Sequence, residues 1–153
     1  MRGNFDSIGN PNVVRETRAM KLLQVHLLTG LLMIVVSAAA VAQKADWSSR
    51  TPHSMIVAFV VWSTVPFALA TAAGWLLRRS RAALVSCLLG QSATFLHMAA
   101  LFVTAFYIRP DAQGGLILIF GPVYYLALLI PFGVAALFFY FRRRRADSNI
   151  AGL

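Results

Sequence analysis

Carboxylates are scarce in this chain. Five Asp and Glu residues stand against 14 Lys and Arg in 153 residues, and all five (Asp6, Glu16, Asp46, Asp111 and Asp147) fall outside the long apolar runs. A small four-helix exporter that exchanges cations for protons needs a carboxylate inside the membrane to hold each in turn, so that mechanism lacks its central residue. Paired-carboxylate hydrolysis within the membrane is excluded on the same ground. Cysteine is rarer still: Cys87 stands alone, which rules out an intrachain disulfide and reads as a small buried apolar group. No HExxH, paired-cysteine spacing, phosphate-cradling glycine loop or GxSxG elbow occurs, so neither a conventional enzyme nor a bound cofactor is expected.

Histidine is also sparse, with three residues, and their depths bear on haem. At about 1.5 Å per helical residue, His26 sits roughly 9 Å and His97 roughly 22 Å from the same membrane edge. Two axial ligands of one haem need to be nearly level, and His53, at the far end of its span, matches neither. Only two copies of His97 meeting across a dimer escape this mismatch.

What the chain has in abundance is apolar length. Hydrophobic residues make up 59% and charged residues 12%, against about 25% charged in soluble proteins. Four runs, 20–42, 54–77, 82–108 and 115–141, reach the roughly 20 helical residues that a membrane crossing requires. They lack the apolar/polar alternation of barrel strands, and a lipid-embedded backbone must satisfy its own hydrogen bonds. The expected fold is an all-α, antiparallel four-helix transmembrane bundle over 20–141. A basic arm, 1–19, precedes it and a basic tail, 142–153, follows.

Charge sets the expected orientation, because Lys and Arg gather in cytoplasmic loops. Arg2, Arg15, Arg18 and Lys21 precede the first span, Arg78, Arg79 and Arg81 join the second to the third, and Arg142, Arg143, Arg144 and Arg145 follow the fourth. The opposite side has Lys44, Arg50 and Arg109. Both termini are expected in the cytoplasm, with the arginines on anionic lipid headgroups rather than nucleic acid. Phe138, Phe139, Tyr140 and Phe141, with Trp47, Trp75 and Tyr107, suit aromatic interface belts. The segment from Met20 also has the basic start, apolar middle and Ala-x-Ala end of a signal peptide. Its spanning length and the polar arm before it favour retention.

Each of the first three spans carries a stripe of small and polar residues at helical spacing. These are His26, Gly30, Ser37 and Ala40; Ser63, Pro66, Ala70 and Gly74; and Ser86, Gly90, Ala93, His97, Ala100 and Thr104. Such faces let helices approach closely in lipid. VHLLTG (25–30) also aligns with VSCLLG (85–90), and Pro66–Phe67–Ala68 with Pro131–Phe132–Gly133, which raises the possibility of a duplicated hairpin.

His97, Tyr124, Tyr125, Ser63 and Thr64 fall roughly 14–17 Å from the outer edge, near the bilayer midplane. Pro66 and Pro122 lie close by and deprive the carbonyls of Trp62 and Leu118 of their helical donors; Pro131 is a third candidate kink. Either these polar groups are packing glue, or they line a small cavity with His97 as its titratable member. At the start of span four, Asp111 can cap the helix and Gly114–Gly115 leave backbone N–H groups uncovered.

The segment from Asp111 to Tyr125, with Asp111, Gln113, Gly114, Phe120, Pro122 and Tyr124, resembles a pattern in small, uncharacterised multi-span proteins of bacterial inner membranes. The likeness implies an inner-membrane home and no particular activity. The leading expectation is a non-enzymatic membrane protein that acts by helix packing, as a homo-oligomer or with a membrane-protein partner. The rival is a small transporter, channel or quinone-like ligand binder built around His97, Tyr124 and Tyr125.

Overall fold

The computed structural model describes residues 11–44, 52–108 and 114–151. They form four helices: α1 (Pro11–Lys44), α2 (His53–Leu76), α3 (Arg81–Val103, prolonged by a π-helical turn at Thr104–Ile108) and α4 (Gly114–Ala151). Each contains a stretch long and apolar enough to cross a membrane. The chain is a multi-span membrane protein with a four-helix bundle.

Three boundaries differ from the apolar runs. α1 begins at Pro11, well before Met20, and α4 runs past Phe141 through the four arginines. Extending an existing helix costs far less than starting one, and arginine is a good helix former, so both basic flanks continue the spans that adjoin them. The third run, read as one helix to residue 108, widens into a π-turn over its last five residues. α2 continues through Pro66, and α4 through Pro122 and Pro131, so these prolines sit within helices rather than ending them. The Asp111 cap, Gln113, Trp47, Arg50 and Arg109 lie outside the described residues.

The turn between α2 and α3 uses no residue of positive φ. Ser80 caps α3 instead, its Oγ accepting from the Ala83 N–H at 3.4 Å while its carbonyl accepts from Leu84 at 3.0 Å. At the end of α2, the Arg78 guanidinium lies 4.4 Å from the ring centre of Trp75, anchoring that aromatic beside the basic turn.

α1 packs along α2 and α3 along α4. α2 also touches α4, α1 touches α3, and α2 meets α3 across the middle. Two apolar clusters fill the interior. Met33, Phe67, Met98 and Tyr125 form one; Leu77, Ala83, Cys87 and Ala136 form the other, against the α2–α3 turn. Phe67 and Phe95 meet edge-on with ring centres 6.2 Å apart. Because lipid is as apolar as these side chains, dispersion contacts and close helix approach, rather than escape from water, hold such clusters together.

Candidate functional site

Polar groups concentrate where α1, α2 and α3 converge. His26, Gln91 and Thr94 are fully buried, and Ser37, Ser63 and Ser86 nearly so. A polar group inside a membrane bundle must find a partner, and here the partners are mostly backbone carbonyls of neighbouring helices. The His26 ring nitrogen Nε2 lies 3.4 Å from the Thr71 carbonyl of α2. Gln91 reaches from α3, its Nε2 donating to Thr71 Oγ1 at 2.7 Å and to the Phe67 carbonyl at 3.5 Å. Thr71 itself donates to the Phe67 carbonyl at 2.7 Å. Ser37 of α1 donates to the Ser63 carbonyl of α2 at 3.2 Å, and Ser86 of α3 to the Phe132 carbonyl of α4 at 2.9 Å.

Glycine makes this approach possible at the α1–α2 seam. A Cβ on Gly74 would coincide with the His26 imidazole, and one on Gly30 would coincide with Thr71. The helices interlock reciprocally: α1 presents His26 to a gap in α2, and α2 presents Thr71 to a gap in α1. Gly90 similarly faces Phe132 across the α3–α4 seam.

Three buried atoms, His26 Nδ1, Gln91 Oε1 and Thr94 Oγ1, have no hydrogen-bond partner among the described residues. Gln91 lies roughly 15 Å along α3 from Arg81, near mid-membrane. It was absent from the sequence-derived polar layer, although an amide inside an apolar run is a signal: burying one unpaired costs about 2 kcal/mol or more.

The residues placed at the midplane by sequence are divided. His97 does meet both tyrosines: its ring stacks on Tyr124 with centres 5.7 Å apart and meets Tyr125 edge-on at 6.5 Å. Tyr125 is buried in the apolar cluster, whereas Tyr124 is 58% exposed on the outside of α4. Ser63 and Thr64 donate back to carbonyls of their own helix, Val60 and Val61, each at 2.8 Å. The proline region of α4 gains a bond that sequence did not anticipate, from the Trp62 indole N–H to the Ile119 carbonyl at 3.0 Å. Trp62→Phe is therefore expected to loosen α2 from α4 by about 0.5–1.5 kcal/mol. Unfolding in detergent followed by helical circular dichroism measures this, and an unchanged midpoint would mean that the bond contributes nothing.

At the basic end, a crevice of about 970 Å³ opens between the early part of α1, the α2–α3 turn and the extension of α4. Arg78, Arg79, Arg81, Arg143 and Arg144 line it, whereas Arg142 and Arg145 do not. Arg143 donates to the Arg79 carbonyl, which ties α4 to the turn, and lies 3.8 Å from Asp147 one turn further along α4. A smaller apolar groove of about 230 Å³ lies deeper, among Leu69, Cys87, Leu126 and Phe132.

The class defined by these features is a four-helix membrane bundle with an interior polar joint and an arginine-lined end. Comparison of the chain with protein-family models, curated proteins and solved structures finds no match.

Proposed function

We propose that this chain is a non-enzymatic integral protein of the bacterial inner membrane that acts by helix packing, as an oligomer or as an accessory subunit of a membrane complex. Its hairpins are antiparallel, with both termini in the cytoplasm. The order of contacts supports the antiparallel reading. Along α1, His26, Gly30 and Ser37 meet Gly74, Thr71 and Ser63 of α2. Along α3, Gly90 and His97 meet Phe132 and then Tyr124 and Tyr125 of α4. In each pair the partner number falls as the other rises. The gathering of basic residues at one end supports the orientation.

The observation that carries the packing role is Tyr124. α4 is the least buried of the four spans, and Tyr124 lies outward on it, roughly 14 Å from its apolar start, with no hydrogen bond among the described residues. A phenol directed at mid-bilayer hydrocarbon leaves a hydroxyl unsatisfied, which a neighbouring protein surface relieves. Phe120, Val134, Phe138 and Phe141, also exposed, continue this face at helical spacing. Inside the bundle, His26, Ser37, Ser86 and Gln91 meanwhile bond across to a neighbouring helix, as expected of a scaffold.

The ring contacts of His97 favour a second reading, in which His97, Tyr124 and Tyr125 hold a lipid-soluble, quinone-like ligand or gate a permeant. Purification in mild detergent separates the two. Packing expects a protein partner or a second copy at fixed stoichiometry; the ligand reading expects a coloured or extractable small molecule. Under the packing reading, His97→Ala lowers the stability of the assembly by about 1 kcal/mol, the size of a lost aromatic contact. Retained assembly with loss of an extractable ligand would instead support the second reading.

A further inference from the structure

We propose that the arginine-lined crevice binds one membrane phospholipid whose headgroup carries two phosphate groups. The proposal goes beyond the packing role and holds equally for a monomer or an assembly. Five guanidinium groups and one carboxylate, Asp147, line the crevice, which leaves four net positive charges in one concavity. They come from two separate elements. The α2–α3 turn and the start of α3 supply Arg78, Arg79 and Arg81; α4 supplies Arg143 and Arg144. Tyr140, Arg143, Arg144 and Asp147 follow the i, i+3, i+4, i+7 spacing of one helical face and turn toward the arginines of the other element.

Converging like charges repel, and an anion shared between them reverses the sign of that interaction. Guanidinium forks match phosphate oxygens in pairs, which suits arginine rather than lysine to the task. One phosphodiester, singly charged, leaves most of the charge uncompensated, whereas two phosphates can engage both walls. The crevice volume of about 970 Å³ admits a headgroup of that size.

The apolar part of the lining decides between a lipid and a soluble diphosphate. Met20, Leu23 and Tyr140 share the lining with the arginines, close to where the apolar spans begin and end. A headgroup held there leaves its acyl chains free to descend along the bundle, and basic pockets of this kind between membrane helices suit multiply charged headgroups. Arg143, bonded to the Arg79 carbonyl, links the two walls.

The test uses the intact chain in phosphatidylcholine nanodiscs doped, at equal total charge, with diphosphatidylglycerol or with phosphatidylglycerol. Lipids retained per chain are counted by native mass spectrometry. One diphosphatidylglycerol per chain is expected. Arg143→Gln with Arg144→Gln should lower its occupancy about tenfold or more, as should Arg81→Gln with Arg79→Gln if the first pair disturbs folding. Arg142→Gln with Arg145→Gln removes the same charge outside the crevice and should change occupancy by less than about twofold, because charge position rather than net charge governs the site. Equal losses from the inside and outside pairs would overturn the site in favour of diffuse attraction. Equal retention of phosphatidylglycerol would overturn the two-phosphate requirement, and displacement by equimolar inorganic diphosphate would overturn the lipid assignment.

Discussion

Gly74→Ala is expected to destabilise the bundle more than any other single methyl addition along the α1–α2 seam. The added Cβ would land on His26 Nε2, with the ring carbons Cδ2 and Cε1 at 2.6 and 2.7 Å. Overpacking of a core costs about 1–3 kcal/mol, and this site belongs at the upper end because a rigid ring, not the tip of a flexible chain, occupies the space. The imidazole is also held by the Thr71 carbonyl at 3.4 Å, so retreat breaks a bond inside the membrane. His26→Ala vacates the same space. The double variant is therefore expected to recover most of what Gly74→Ala loses, a coupling that a double-mutant cycle measures in detergent unfolding. Wild-type stability for Gly74→Ala, or no rescue by His26→Ala, would show that His26 is not seated against α2.

The second large effect is expected at Gln91. Gln91→Glu removes the donor that reaches Thr71 Oγ1 and the Phe67 carbonyl. It replaces that donor with a carboxylate that is surrounded by acceptors when ionised. An unpaired acid at this depth costs about 2.5–3.5 kcal/mol even on the more lenient membrane scales. Gln91→Leu should cost less than about 1 kcal/mol, because membrane hydrogen bonds contribute little net energy. Thr71 keeps its own bond to Phe67, and the partnerless Oε1 disappears with the amide. The diagnostic is therefore the order of the two midpoints in detergent unfolding at neutral pH. If Glu is tolerated and Leu is not, the layer around Gln91 is open to water, and the transporter or ligand reading gains over packing.

These two positions show what the sequence conveyed and what it withheld. The four spans were legible because about 20 consecutive apolar residues suit a membrane crossing and little else. The stripes in α1 and α2 correctly grouped His26 with Gly30 and Ser63 with Gly74, since helical spacing alone determines a face. Which residue on one stripe meets which on another depends on axial register, and composition carries no record of it. Thus His26 appeared as a haem candidate or a stripe member, whereas its partners are Gly74 and the Thr71 carbonyl. Gln91, directly after Gly90, lies beside the small-residue stripe of α3 rather than on it, so helical spacing does not mark it.

The apparent duplication illustrates the same limit. Gly30 and Gly90 coincide in the sequence alignment, and each accepts a side chain from the following helix. Gly30 accepts Thr71, however, while Gly90 accepts Phe132, the counterpart of Phe67. The halves share a device but use it one helical turn apart. His97 with Tyr124 and Tyr125 was anticipated from depth alone. The outward direction of Tyr124 was not, because helix rotation follows from packing against α2 and α3.

The central claim is that the outward face of α4 packs against protein. It is tested most directly by replacing Tyr124 with a photo-crosslinking phenylalanine derivative in the native membrane and identifying the adducts by mass. The expected result is a protein adduct of one defined mass, either twice that of this chain or this chain plus one partner. Adducts with lipid alone, or with a small extractable molecule lodged beside His97, would contradict the packing role.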